Sequence, residues 1–139
     1  MRPSPFLLLA ALAACDLPWD VTGTRIANLE VQTQAAPAGA AQDVVVSGES
    51  RRIVIRGRFE VPAAHELRSY AQRHGGVVFA FVHAADYPVS TAPARTLRYE
   101  ATLRDLPRGT YVVRVSHFVQ SDPQGTMREV ASDTVAVVP

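Results

Sequence analysis

The side chains able to do chemistry in this chain are few, and one is singular. Cys15 is the only thiol among 139 residues, so no intrachain disulfide can form. A thiol is the strongest nucleophile among the ordinary side chains, and a lone one this close to the start of a chain is a site for covalent modification. Four histidines follow, His65, His74, His83 and His117. His83 and His117 fall in segments that read as strands and could be brought face to face across a sheet, but two imidazoles without a nearby carboxylate or thiolate make a poor metal site. The third group is arginine. All fourteen basic residues are Arg, and there is no Lys. Arg52, Arg56 and Arg58 share one parity of a strand-like segment, and Arg98, Arg104 and Arg114 are placed outward on others. On neighbouring strands they form a basic face able to meet anionic headgroups or an acidic partner; with Glu60, Glu100 and Asp105 interspersed, they form a solvated, balanced face instead.

The residues around Cys15 decide its chemistry. Phe6 to Ala14 is an unbroken apolar run, preceded by Arg2. Nine helical residues span about 14 Å against roughly 30 Å of hydrocarbon, too short to cross a bilayer. The length suits the apolar region of an export signal. The run ends Leu12-Ala13-Ala14-Cys15, which resembles the lipobox of bacterial lipoproteins: a branched apolar residue, two small residues, then cysteine. That resemblance implies cleavage after Ala14 and a diacylglyceryl thioether on Cys15. Residues 1–14 are then a signal peptide, 15–24 the lipidated cysteine and a tether, and 25–139 the folded domain. Each buried methylene contributes about 0.8 kcal/mol, so two or three acyl chains hold a domain where one would not. Asp16 resembles the retention signal of enteric lipoproteins and points to the outer face of the cytoplasmic membrane ahead of the outer membrane. The tether can extend at most about 30 Å. Trp19 within it is placed either at headgroup level or against the base of the domain.

The remaining 125 residues suffice for one core. Without Arg2, thirteen Arg face thirteen Asp and Glu, a near-neutral balance that argues against a nucleic-acid partner. No Gly-x-Ser-x-Gly, phosphate loop or His-Glu-x-x-His is present. The expectation is a non-enzyme without cofactor or metal.

Alternation with a period of two runs through most of the domain. Strands are expected at Ile26–Gln34, Asp43–Ser47, Arg51–Val61, Val77–Ala84, Thr96–Arg104, Tyr111–Val119 and Arg128–Val138. Ile53, Ile55, Gly57 and Phe59 take the inward parity of the third, with Val54 outward among the arginines. Leu97, Tyr99, Ala101 and Leu103 point inward from a later one. Val77–Ala84 is apolar at both parities and should lie centrally. Ala35–Gln42 is a small-residue loop, and Asp86-Tyr87-Pro88 and Ser121–Gly125 are turns. Pro62–His74 breaks the pattern: Leu67, Tyr70, Ala71 and His74 recur at helical spacing, with Pro before and Gly75-Gly76 after, and predict a short amphipathic helix.

Leu106-Pro107-Arg108-Gly109-Thr110-Tyr111-Val112-Val113 is similar to the turn that opens a late strand in fibronectin type III, transthyretin-like and other immunoglobulin-like domains. It implies a ring in the core whose hydroxyl bonds back to the turn, as in a tyrosine corner. The expected architecture is an all-β, antiparallel, immunoglobulin-like sandwich of about seven strands with one short helix. It departs from antibody-type domains in lacking a cysteine pair, Val113 standing where the second would fall, and in having no Trp in the central strand. The expected role is an anchored interaction module, an accessory or structural subunit of an envelope or membrane complex, touching its partner through Arg52, Arg56, Arg58, Arg98 and Arg104. The alternative is a lipoprotein that binds a sugar or peptide.

Overall fold

The computed structural model describes residues 24–26, 29–37, 43–86, 91–120 and 127–139. Cys15, Trp19, most of the tether, and the turns at Tyr87 and at 121–125 lie outside them. Nine strands are described: β1 (Thr24–Ile26), β2 (Leu29–Ala35), β3 (Val45–Glu49), β4 (Arg52–Val61), β5 (His65–His74), β6 (Val77–Asp86), β7 (Arg95–Leu103), β8 (Gly109–Val119) and β9 (Arg128–Val137). They form a five-stranded sheet, β1-β5-β6-β8-β9, packed on a four-stranded sheet, β2-β7-β4-β3.

The two sheets meet through the inward parity of each strand. Ile53, Ile55, Phe59 and Val61 of β4 and Tyr99, Ala101 and Leu103 of β7 face Val78, Val82, Val113 and Val115 of β6 and β8, all buried. Inward residues of β6 are small, Val or Ala, while its outward residues include Phe79, Phe81 and His83. Val54 departs from expectation. It sits on the outer face of β4 yet is 2% exposed, because Ser47 and Thr102 flank it in register and the stems of Arg52 and Arg56 stand beside it.

The expected helix is a strand. β5 pairs with β6 over ten residues, from His65↔Asp86 to His74↔Val77. The helical spacing of Leu67, Ala71 and His74 coexists with a period of two, in which Leu67 and Ala71 face the core while Arg68, Tyr70, Gln72 and His74 face out. An isolated helix this short is marginal in water, whereas the strand gains a complete hydrogen-bond ladder and a buried face. Gly75-Gly76 is a two-residue hairpin loop with Gly75 at φ 58°, the geometry such hairpins favour, and not a helix stop.

The sheets are not antiparallel throughout. β6 and β8 run parallel, Val77↔Val112 to Ala84↔Val119, because the one strand between them in the chain, β7, crosses to the other sheet and returns. Immunoglobulin domains are built from two antiparallel sheets, so this pair is a departure from that pattern. A second feature closes the sandwich along one side. Edge strands β3 and β9 belong to different sheets, yet Arg51 N–H donates to Val138 O at 2.8 Å and Val138 N–H to Glu49 O at 3.3 Å. Gly48 lies at that crossing, against the backbone of Ala136.

The tyrosine corner is present. Tyr111 is buried and its hydroxyl donates to Pro107 O at 2.7 Å. Tyr111→Phe keeps the packing and removes that bond, and we expect it to cost about 1 kcal/mol by urea denaturation, with an unchanged denaturant slope. An unchanged midpoint would mean that the hydroxyl contributes nothing to the turn.

Candidate interaction surface

The five arginines named from sequence do share a face. Arg52, Arg56 and Arg58 lie on the outward parity of β4, Arg98 lies on the neighbouring β7, and Arg104 follows that strand. Most of the face is neutralised from within. Arg52 Nε donates to Glu49 at 2.6 Å, Arg56 Nε donates across the strands to Glu100 at 2.9 Å, and Arg104 pairs with Glu30 at 3.3 Å. These are exposed pairs, each contributing a fraction of a kcal/mol at most, and they set the charge pattern more than the stability. One position differs. Arg58 and Arg98 are direct cross-strand partners, like charge opposite like charge, and neither reaches a carboxylate among the described residues. Arg98 also lines a shallow hollow of about 400 Å³, together with Gln32, Gln34, Arg56 and Glu100. Arg114 does not belong to this face. It is on β8 in the other sheet, where its guanidinium pairs with Glu129 at 2.6 Å.

The histidines scatter. In the parallel register His83 stands opposite Phe118 while His117 stands opposite Val82, so His83 and His117 point to opposite faces and cannot share a ligand. His65 is buried on β5, its Nδ1 2.8 Å from Ala63 O. His74 is on the outer face of β5, edge-on to Phe79. Among the described residues, no three His, Cys, Asp or Glu side chains gather as a metal ion would require.

His117 enters the core, 8% exposed, and there meets Tyr99 from the opposite sheet. The Tyr99 hydroxyl and His117 Nε2 are hydrogen-bonded at 2.7 Å, and Phe59 packs on the imidazole with ring centroids 4.8 Å apart. Burial pushes the imidazole down to about 4 and the phenol above its ordinary range, so both stay neutral at physiological pH. Gly57 leaves room for this pair: a Cβ there would stand 2.7 Å from the Tyr99 oxygen. The sheets of this domain are thus joined by a neutral hydrogen bond, in a core where no disulfide is possible.

Sequence reasoning missed a surface on the five-stranded sheet. Tyr70 stacks on Phe81 at 4.7 Å, His83 lies parallel to Phe118 at 4.8 Å, and Tyr70 meets His83 edge-on at 5.6 Å. Burial, and then Arg68, lower the pKa of His83. The clue was available in β6, where Phe79, Phe81 and His83 take one parity and Val78, Ala80 and Val82 the other. Reading the segment simply as apolar on both faces concealed it.

No protein-family model matches the chain, and no curated protein or solved structure matches it.

Proposed function

We propose that this chain is a lipid-anchored interaction module, held by fatty acyl groups on Cys15 at the outer face of a bacterial cytoplasmic membrane and serving as an accessory or structural subunit of an envelope complex. The observation that carries the reading is the position of the sole thiol, directly after Leu12-Ala13-Ala14 and a nine-residue apolar run. The outer face of the four-stranded sheet is the contact surface in this reading, because Arg56, Arg98 and Arg104 are exposed on or beside its paired strands and Arg52 and Arg58 are partly so. The tyrosine corner at Tyr111 supports a relationship of the late hairpin to immunoglobulin-like domains, although the parallel β6–β8 pair counts against a standard member.

Expression in a bacterial host with an alkyne-tagged fatty acid tests the anchor. The mature chain should begin at Cys15, carry the label and partition with membranes, and Cys15→Ser should lose both label and cleavage. A Cys15→Ser chain that is still acylated and membrane-bound would falsify the reading. Purification from detergent-solubilised membranes tests the role: a defined complex should accompany the protein.

The alternative, a ligand-binding lipoprotein, draws on the ring layer of Tyr70, Phe81, His83 and Phe118, since aromatic surfaces stack on sugars. A partnerless monomer that binds glycans, and loses them on Phe81→Ala, would favour it.

A further inference from the structure

We propose that Arg58 and Arg98 form a clamp for a phosphate-bearing dianion on the outer face of the four-stranded sheet. Directly opposed residues of an antiparallel pair have Cβ atoms about 5 Å apart, and like charges in that arrangement repel. The next pair along the same two strands shows the ordinary solution, with Arg56 opposite Glu100 and bonded to it at 2.9 Å. Glu100, the diagonal neighbour of Arg58, is therefore already engaged. Asp43 and Glu60 are exposed acids near this end of the sheet, and neither forms an ion pair with Arg58 or Arg98. Two arginines at directly opposed positions on adjacent strands are thus left without a carboxylate partner among the described residues.

A carboxylate has two oxygens and one charge, enough for a single fork. A phosphate monoester offers three terminal oxygens and nearly two negative charges at neutral pH, which matches two forks and their charge. Gln34 faces Arg98 from the other side, on β2, and adds an amide donor at the edge of the hollow that Arg98 lines. The clamp stands on this geometry alone. A lipid headgroup as the source of the phosphate rests on the anchoring reading, since the tether keeps the domain close to a bilayer. Free phosphate is the other source.

The test uses the full chain in neutral detergent micelles, with the arginine Nε–H signals followed by NMR. Inorganic phosphate should shift Arg58 and Arg98 saturably and leave Arg52 and Arg104, which have carboxylate partners, nearly unmoved. Arg58→Gln or Arg98→Gln should weaken binding about tenfold or more, while the melting temperature stays level or rises because a repulsion has been removed. A second titration with short-chain phosphatidic acid distinguishes the source. Tighter binding than inorganic phosphate assigns the site to a headgroup, and equal or weaker binding assigns it to a soluble phosphate. The clamp is overturned if phosphate shifts all arginines alike, as sodium chloride does at matched ionic strength, or if either Gln variant melts lower, which would mark the pair as structural. An unacylated Cys15 would remove the headgroup source and leave the phosphate titration able to decide the clamp.

Discussion

Acidification from about pH 7 to about pH 4 is expected to cost this fold about 3 kcal/mol through His117 alone. The unfolded imidazole titrates near 6.5, whereas burial holds the folded one near 4. Between those values the unfolded chain binds the extra proton and the folded chain does not. Stability is therefore complete above about 6.5, falls as pH drops through the window, and levels off below about 4. The chemistry is direct. Protonation would place an imidazolium in the core, where the neutral Tyr99 hydroxyl is its hydrogen-bond partner and no carboxylate among the described residues pairs with it. His83 acts in the same direction and more weakly, since it is only partly buried. The measurement is urea denaturation across the window for the parent chain and for His117→Gln, whose amide does not titrate. The parent should lose stability more steeply, so the gap between the two narrows towards low pH. Parallel slopes would show that His117 does not carry the dependence.

The other large effect belongs to Gly48. A Cβ at this position would overlap the carbonyl oxygen of Ala136 and lie 2.7 Å from its carbon, and both are backbone atoms that cannot rotate aside. Gly48→Ala must push β3 from β9. The Arg51–Val138 and Glu49–Val138 hydrogen bonds that join the two sheets at this edge would be lost or stretched, and the side-chain bond from Ser50 to Pro139 with them. A loss of about 3–5 kcal/mol follows from the overlap together with the broken bonds. Amide exchange offers a local readout. The Arg51 and Val138 amides should lose protection in Gly48→Ala, while those of the central β6–β8 pair keep theirs relative to global stability. A variant with parental midpoint and parental protection at Val138 would mean that the two edges need not touch. Gly75 is the contrast, a glycine used for its positive φ, where an added methyl group would meet nothing within 4 Å.

How far the fold could be read from residues depended on what each feature needs to know. Parity is a local property, so the buried sets of β4 and β7 follow from Ile53, Ile55 and Phe59 and from Tyr99, Ala101 and Leu103 without reference to any partner. The turn before Tyr111 is equally local: Pro107 and the hydroxyl that bonds to it lie four residues apart. Segment 65–74 failed because its apolar residues fit both periods, and the choice between them is made by ten residues of β6 that complete the ladder. The arginine face was legible as a set of outward positions. Which arginine meets Glu100 and which meets another arginine was not.

By itself, then, the order of residues determines the strand-forming alternation, the tyrosine turn and a lone thiol behind an apolar run, because each is written within a few neighbouring positions. Tertiary structure alone decides the parallel β6–β8 pair, the placing of His83 and His117 on opposite faces, and the meeting of Arg58 with Arg98. All three depend on register between strands far apart in the chain, where a shift of one residue would turn every side chain to the other face.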